Sequence, residues 1–541
     1  MAVTQPKLTV IGLDAATLDV IEPLVAAGDL PHLGRLLEQG AHGRLRSTTH
    51  PLTPLAWTTM TTGANAGRHG IWDFSERDET GYGLRLVNGS SVRVPPLWTR
   101  LHAAGRRVGI VNVPYTWPAP PLEGFAVAGL DAWEREDGMT TPPALLDELR
   151  GRFGRLLADH SFPLDAEGRF DLDAVRALCR QRVELVSWLA ERYSPELLFV
   201  VFMAADHVHH LEWPDWERRG RDSVVAEVYR ILDGTVGALL DRVGGENVLV
   251  VSDHGGGSLD GVVNLNAWLA REGYLTYTSG GDSGARLGHR LFEARRRVPS
   301  GLRRSVKQRA PFLRERVYSL RHAPTVVDWS RTRAFAYGIF GSVVINLRGR
   351  ERNGIVDQEE YEQLRAELAS GLADLRDPAG ERIVAKVHRR EDLFRGPELA
   401  RIPDLVVEFR DYAWLGKGNL TERSGELEDR IVPAAHPNAV YSGSHRPDGL
   451  FVLAGPAARP GARLAPGILD VAPTVFYLLD EPIPLDFEGS LLTDALEPAA
   501  LGERPARYAE PEAIELAEPQ EYDEAGAAAL EERLRSLGYL E

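Results

Sequence analysis

Aspartate residues end three apolar runs of the chain, and one of them is followed at once by a histidine. The run "NVLVVSDHGGG" passes from apolar residues into Asp253, His254 and three glycines. Asp14 ends "LTVIGLD", and Asp206 ends "ELLFVVFMAAD". One such aspartate is readily explained as a helix cap. Three of them favour a metal site, because carboxylate and imidazole groups are ligands of metals such as Zn²⁺.

Two further histidines complete the candidate ligands. His210 follows the second of these aspartates by four residues in "DHVHH", which places both side chains on one face of a helical turn. Spacing alone leaves His207 and His209 as alternatives. His445 lies in the Gly- and Ser-rich stretch "YSGSHRPDG", and His436 is the weaker alternative to it as a metal ligand.

The number of candidate ligands decides how many ions to expect. Three aspartates and three histidines exceed the four ligands that are typical of one zinc ion. We therefore predict two divalent metal ions, with zinc favoured and manganese as the alternative. Two ions about 3.5–4 Å apart can bind both the attacking and the leaving oxygen of a phosphoryl displacement.

The elements that position these residues alternate between short apolar runs and helical patterns. Strands are predicted at 8–14, 107–114, 196–206 and 247–253, and helices at 172–193 and 223–243. This alternation is typical of an α/β fold, with a mostly parallel central sheet and helices on both faces. In such folds the functional groups collect beyond the C-terminal ends of the strands, which is where the aspartates are expected.

A change of composition near residue 276 divides the chain. We predict a first part of the catalytic domain at 1–275, an inserted basic segment and cap subdomain at 276–430, a return of the catalytic domain at 431–500, and an acidic tail with a short helix at 501–541. Segment 286–321 contains twelve Lys or Arg and only two Glu. Such a run is either a solvated surface or a contact for an anionic ligand or an anionic membrane surface.

Bulk composition excludes several classes of protein. The formal net charge is -16, so nucleic acid is not an expected partner. Cys179 is the single cysteine, which excludes an internal disulfide. The N-terminus lacks the pattern of a signal peptide, and no apolar run is as long as a membrane span. These features predict a cytoplasmic protein.

A hydroxyl-rich stretch offers candidate nucleophiles. Residues 47–74 contain seven threonines and one serine, most of which are better explained as caps, turns or packing. A metal bound to one of these hydroxyls would activate it without a histidine base. The residue types alone do not choose among them.

The motifs, taken in order, resemble those of the alkaline phosphatase superfamily. They are "GLDAATLDVI", "TPLAWTTMTTGANAGRHGI", "DHVHH", "SDHGGG" and "GSH". The resemblance covers most of the chain and is greatest to the type I phosphodiesterases and nucleotide pyrophosphatases, with their bacterial phosphohydrolase and phosphomutase relatives. It implies an alkaline-phosphatase-like α/β fold with an inserted cap subdomain, and a phosphorylated small molecule as substrate.

The same resemblance implies roles for individual residues. In the phosphodiesterases the nucleophilic threonine lies nine residues before the threonine of a Thr-Gly pair, which is Thr62 here and makes Thr53 the expected nucleophile. Its phosphothreonine intermediate would then be hydrolysed by water. The two expected ligand sets are Asp14, Asp253, His254 and Thr53 for one ion, and Asp206, His210 and His445 for the other.

One departure from the family pattern bears on the substrate. The phosphodiesterases carry an asparagine three residues after the nucleophile, where it helps to hold a phosphoryl oxygen, but this chain has Ala56. A methyl group cannot donate a hydrogen bond, so another donor must serve. We expect a phosphodiesterase; the alternatives are a phosphomutase, a phosphomonoesterase and, less favoured, a non-catalytic binding protein on this scaffold. Cys179 lacks the sulfatase signature.

Overall fold

The computed structural model describes most of the chain. The described residues are 5–77, 82–132, 137–157, 162–166, 168–278, 327–418, 431–433 and 441–536. The basic segment 286–321 and His436 lie outside them, so the predictions made for them stay predictions.

Strands and helices alternate through the described residues. The strands are β1 (Leu8–Leu13), β2 (Ala41–Arg46), β3 (Ser75–Arg77), β4 (Leu84–Leu86), β5 (Val108–Val111), β6 (Gly124–Val127), β7 (Thr140–Thr141), β8 (Leu197–Phe202), β9 (Asn247–Val251), β10 (Gly255–Ser258), β11 (Gly261–Asn264), β12 (Ala334–Tyr337), β13 (Ser342–Ile345), β14 (Val384–Arg389), β15 (Leu405–Phe409), β16 (Trp414–Lys417), β17 (Ile431–Pro433), β18 (Gly443–Arg446), β19 (Asp448–Ala454), β20 (Arg463–Leu464), β21 (Ile483–Pro484) and β22 (Tyr508–Ala509). The helices are α1 (Leu18–Ala26), α2 (Pro31–Gln39), α3 (Thr53–Thr62), α4 (Ala66–His69), α5 (Leu97–Ala103), α6 (Leu145–Phe153), α7 (Leu172–Tyr193), α8 (Ala204–Arg219), α9 (Val224–Arg242), α10 (Leu265–Arg271), α11 (Gln358–Ala373), α12 (Arg390–Leu393), α13 (Val471–Leu478), α14 (Pro498–Glu503) and α15 (Glu524–Ser536). Within the described part of the chain, no helix has both the length and the apolar character that crossing a membrane requires.

Nine strands form the central sheet, in the order β20-β2-β19-β9-β1-β8-β5-β6-β7. β1 pairs in parallel with β8 and β9, and β5 pairs in parallel with β6 and β8. β19 is antiparallel to both of its neighbours. The mostly parallel central sheet that the sequence predicts is therefore confirmed.

Helices cover both faces of this sheet, and its central strands are therefore buried on both sides. Side chains alternate between the two faces of a strand, and every residue of β1 and β8 is buried. Leu197 and Phe199 of β8 join a hydrophobic cluster with α3, α5 and α13. Leu198 and Val200 join a second cluster with α1, α2, α7, α8 and α9.

A second, smaller sheet is antiparallel, in the order β12-β13-β15-β14. Helix α11 packs against it through Tyr361, Leu364 and Leu368. This second sheet falls within the stretch 276–430, which we propose as the insertion, and the other domain bounds likewise stay proposals.

One predicted strand ends earlier than expected. The sequence predicts a strand at 196–206, but β8 stops at Phe202, and Asp206 lies in the first turn of α8. The prediction was wrong because Met203, Ala204 and Ala205 prolong the apolar run although alanine and methionine favour helix. Asp206 is therefore positioned by a helix and not by a strand end.

Candidate metal centre

Two parallel neighbours, β1 and β9, bring the first candidate ligands to one edge of the sheet. Asp14 directly follows β1, and Asp253 and His254 follow β9. Because these strands run side by side in the same direction, their ends lie together. The backbone N–H of Ala15 donates to Asp253 Oδ1 at 3.4 Å, which ties the two strand ends to each other.

A helix and a hairpin-like strand pair bring the remaining ligands. Asp206 and His210 lie one turn apart on α8, which begins just after β8, the other neighbour of β1. His445 lies on β18, which pairs antiparallel with β10, so that Gly256 is opposite His445. The strand after His254 thus carries His445 to the same edge.

Asp206, His210 and His445 form a compact buried group. Asp206 Oδ1 lies 3.2 Å from His210 Nε2 and 3.3 Å from His445 Nε2. The two Nε2 atoms are 3.0 Å apart. One ligand atom from each residue falls within 4.8 Å of the others, a spacing that suits one metal ion.

A second group shares Asp206 with the first. Asp14, Asp206 and His254 also offer ligand atoms within 4.8 Å of one another. His254 Nε2 lies 3.8 Å from Asp14 Oδ1 and 3.3 Å from Asp253 Oδ2. The rings of His254 and His445 stack with centroids 3.8 Å apart, so the two groups adjoin.

The hydrogen bonds of the three imidazoles suit metal binding. Each Nδ1 faces a backbone carbonyl: that of His210 lies 3.2 Å from Gly443 O, that of His445 2.7 Å from Pro51 O, and that of His254 3.1 Å from Gly255 O. An N–H at Nδ1 donates to the carbonyl and leaves the lone pair on Nε2, which is how metal-binding histidines are commonly oriented.

The charges of the group also suit divalent cations. Three buried aspartates lie beside three buried histidines. Carboxylates so close together repel one another. Burial, together with the charge of Asp206, raises the pKa of Asp253 well above its ordinary value. Burial and the neighbouring His445 lower the pKa of His254 well below its ordinary value. The residues present therefore fit divalent metal ions.

Thr53 lies beside the group that contains His254. It is the first residue of α3 and is fully buried. Its Oγ1 lies 3.4 Å from His254 Nε2. The sequence-predicted nucleophile is thus within reach of the candidate ligands.

A tryptophan that sequence reasoning did not single out also contacts this group. The indole Nε1 of Trp57 donates to Asp14 Oδ2 at 2.8 Å. Trp57 lies against β1 where Gly12 leaves room, since a Cβ at Gly12 would approach the indole to 2.6 Å. Gly12, Asp14 and Trp57 all lie within the motifs "GLD" and "TPLAW", but the sequence does not show that they contact one another.

The glycine run at 255–257 lies closely against neighbouring protein atoms. In the structure a Cβ at Gly256 would overlap His209 Nδ1, and one at Gly257 would overlap the Arg446 guanidinium. The glycines make room for neighbouring protein atoms, which lets β10 pair closely with β18.

The alternative histidines of "DHVHH" point elsewhere. The ring of His209 stacks on Tyr229, whose hydroxyl lies 3.1 Å from His209 Nε2. His207 makes an edge contact with Phe162. Among the three histidines, His210 is the one that joins a candidate metal-binding group.

Comparison with known proteins gives a family match across most of the chain. The family model for type I phosphodiesterase / nucleotide pyrophosphatase matches residues 8–430. This span includes Asp14, Thr53, Asp206 and His254. No curated protein matches the chain significantly.

Solved structures share the fold at low sequence identity. Murine ectonucleotide pyrophosphatase / phosphodiesterase 5 aligns over 91% of this chain and 100% of its own, with 15% identity and a TM-score of 0.51. An inactive variant of that protein in complex with AMP gives 14% identity and the same coverage and TM-score. Phosphonoacetate hydrolase from Sinorhizobium meliloti 1021, in complex with phosphonoformate, aligns over 88% of this chain and 95% of its own, with 16% identity and a TM-score of 0.53. The alkaline-phosphatase-like fold expected from the motifs is confirmed.

Proposed function

Because the chain belongs to the type I phosphodiesterase / nucleotide pyrophosphatase family and is a hydrolase of phosphate ester bonds, we propose that it cleaves a small-molecule phosphodiester with Thr53 as nucleophile. The family is metal-dependent, and we propose two divalent ions, zinc foremost and manganese as the alternative. AMP and phosphonoformate, the ligands of the two structural neighbours, support a phosphorylated small molecule as substrate.

One observation supports this proposal: the hydroxyl of Thr53 lies beside His254 of one candidate metal-binding group, and that histidine adjoins the other group. Its Oγ1 is 3.4 Å from His254 Nε2, and the His254 ring stacks on that of His445. A hydroxyl held in this place can reach a phosphorus atom whose oxygens face both groups.

We assign the ligands to two ions. One would be held by Asp14, Asp253, His254 and the Thr53 oxygen, and the other by Asp206, His210 and His445. Two bound divalent ions would lower the pKa of the hydroxyl and stabilise the charge on the phosphoryl oxygens. Asp206 belongs to both groups by distance, so it would hold them in a fixed relation to each other.

The proposed reaction has two steps, and the chain itself supplies the nucleophile of the first. In the first step a bond forms between Thr53 Oγ1 and phosphorus while the bond from phosphorus to the alcohol oxygen breaks, and the hydroxyl proton of Thr53 leaves with the released alcohol. In the second step water attacks the same phosphorus and the bond to Thr53 Oγ1 breaks. One proton of the water returns to Thr53 Oγ1, which frees the enzyme. For a diester the intermediate is a threonyl phosphodiester, and the product is a phosphate monoester.

The start of α3 offers a substitute for the amide that Ala56 lacks. Thr53 opens the helix, and the preceding residue, Leu52, has an apolar side chain that cannot cap the first turn. The N–H groups at the start of a helix attract anions, and phosphates are commonly bound there. Pro54 has no N–H and the N–H of Ala56 donates to Leu52 O, so we propose that the N–H groups of Thr53 and Leu55 hold a phosphoryl oxygen in place of the asparagine.

Substrates of three classes test the proposal. Metal-free protein would be assayed with bis(p-nitrophenyl) phosphate, p-nitrophenyl phosphate and phosphonoacetate, before and after addition of Zn²⁺ or Mn²⁺. We expect metal to restore hydrolysis, with the highest kcat/KM for the diester. No metal-restored hydrolysis of any substrate would contradict the proposal, and a higher kcat/KM for the monoester would favour a phosphomonoesterase. The cytoplasmic location and the role of segment 286–321 stay predictions from the sequence.

A further inference from the structure

A buried histidine just before the nucleophile presents an unsatisfied polar atom. His50 precedes Thr53 by three residues and is 2% exposed. Its Nε2 has no hydrogen-bond partner among the residues that the structure describes. A buried polar atom without a partner costs on the order of 1–3 kcal/mol, so such atoms call for an explanation.

One face of the second sheet is turned toward His50. Ser342 on β13 faces Val406 on β15, and Val406 faces His388 on β14, so these three side chains share one face of the sheet. The indole of Trp72 donates to Ser342 Oγ at 3.0 Å and makes an edge contact with the His50 ring, with centroids 5.7 Å apart. Trp72 therefore links that face to His50.

A second unsatisfied histidine lies on this face. His388 is 6% exposed, and its Nε2 lies 2.7 Å from Glu408 Oε2. An N–H at Nε2 donates to the carboxylate and leaves a lone pair on Nδ1, which finds no hydrogen-bond partner within the described part of the chain. Burial is the main cause that lowers the pKa of His50 to about 3, so this imidazole is neutral.

An aromatic ring connects His50 to the candidate metal centre. The ring of Phe340 lies 5.8 Å from that of His50 and 5.6 Å from that of His445, measured between centroids. The carbonyl of Pro51, the residue after His50, accepts from His445 Nδ1 at 2.7 Å. His50 Nε2 thus lies beside the candidate metal centre, and the sheet face that carries His388 adjoins it through Trp72.

We propose that His50 Nε2 and His388 Nδ1 form a subsite for hydroxyl groups on the organic part of the substrate, so that the preferred substrate is a phosphodiester of a polyol or a sugar. This inference rests on the proposed phosphodiesterase function. A hydroxyl both donates and accepts, which matches two imidazoles that each present one nitrogen. Glu408 beside His388 disfavours a second anionic group, and the rings of Trp72 and Phe340 would pack against the carbon atoms.

Two matched diesters test the subsite. One carries a p-nitrophenyl group and a glyceryl group, and the other replaces glyceryl by propyl, which has the same three carbons and lacks the hydroxyls. We expect the zinc-loaded wild type to show a kcat/KM about 10-fold or more higher for the glyceryl ester, because unpaired buried nitrogens penalise the propyl ester. His50→Phe and His388→Phe should bring this ratio toward one, while the control His102→Phe, on α5, should keep it.

A binding measurement on the wild type avoids any effect of the substitutions on folding. Glycerol 1-phosphate should inhibit hydrolysis of bis(p-nitrophenyl) phosphate about 10-fold more strongly than propyl phosphate does. Equal inhibition by the two monoesters, or equal kcat/KM for the two diesters, would overturn the subsite while leaving the phosphodiesterase function intact. Loss of both diester activities in the variants with an unchanged ratio would show a structural role. If the zinc-loaded wild type cleaves neither diester, the proposed function itself fails and the subsite fails with it.

Discussion

The indole N–H of Trp57 donates to Asp14 Oδ2 at 2.8 Å, so the helix that begins with the candidate nucleophile also holds a candidate metal ligand. Trp57 follows Thr53 by one helical turn, and both residues are fully buried. The hydrogen bond fixes one oxygen of Asp14 and leaves Oδ1 on the side of His254. Helix α3 therefore couples the position of the nucleophile to that of the metal ligand.

Trp57→Phe should weaken the binding of one metal ion more than that of the other. The substitution keeps an aromatic ring against Gly12 but removes the N–H that orients Asp14. Loss of such a supporting hydrogen bond typically lowers metal affinity about 10–100-fold. Titration of metal-free protein with Zn²⁺ by calorimetry should resolve one weakened site and one site with wild-type affinity. Trp98→Phe, in the same hydrophobic cluster, is the control. Unchanged metal affinity at both sites in Trp57→Phe would show that Trp57 contributes only packing.

Asp206→Asn should reduce metal content more than the loss of any ligand of a single group. Asp206 falls in both candidate groups, whereas His445 falls in one. We expect His445→Ala to keep about one ion per chain and Asp206→Asn to keep fewer, because a neutral amide is a poor ligand for the ion assigned to Asp206 and no longer holds the other group in place. Elemental analysis of the purified variants measures this directly. Equal metal content in the two variants would show that Asp206 does not affect the ion assigned to Asp14, Asp253 and His254.

Gly256→Ala should destabilise the protein by about 1–3 kcal/mol, the usual effect of overpacking. The new methyl group would overlap His209 Nδ1 and push β10 away from β18, which carries His445. Gly234→Ala is the matched control, since nothing lies within 4 Å of its Cβ position on α9. Chemical denaturation should show a lower free energy of unfolding for the first variant and none of that loss for the second. Wild-type stability of Gly256→Ala would mean that His209 can move aside freely.

Asp73→Asn should change how stability depends on pH. Burial raises the pKa of Asp73 from 3.8 to about 7, against the opposing effect of the Phe74 N–H hydrogen bond. Between these two values the folded state binds a proton that the unfolded state has lost, so the free energy of unfolding falls as pH rises through that window. Asparagine does not titrate. The variant should therefore lose less stability than the wild type between about pH 5 and about pH 8, by a few kcal/mol.

Denaturation curves at the two pH values measure this difference. Asp173→Asn serves as the control, because that side chain is 93% exposed. The same pH dependence in wild type and Asp73→Asn would show that Asp73 is not protonated in the folded protein.

The sequence predicted the elements with strong periodicity and the types of ligand that they carry. The bounds of the helix at 172–193 agree with α7 because a helical apolar pattern, an N-capping Asp171 and a left-handed Ser194 delimit it locally. The end of β8 was missed because an apolar run has no period that separates strand from the first residues of a helix. Local signals therefore defined elements better than they defined the turns between them.

Long-range contacts were the part that could not be predicted. The bond from Trp57 to Asp14 joins residues 43 positions apart. The overlap that excludes a side chain at Gly256 involves His209 from a different element. Such contacts depend on how α3, α8 and β10 pack, and no spacing in the sequence encodes that packing. The sharing of Asp206 between two groups was missed for the same reason, since the residue types assign it equally well to either one.

The rate of the zinc-loaded Thr53→Ala variant on bis(p-nitrophenyl) phosphate tests the central claim most directly. Removal of a catalytic nucleophile typically costs several orders of magnitude in kcat. If Thr53 Oγ1 forms the bond to phosphorus, kcat should fall at least about 10³-fold while the protein stays folded and keeps the ion bound by His210 and His445. A rate within about tenfold of the wild type would contradict the assignment of Thr53 as the nucleophile.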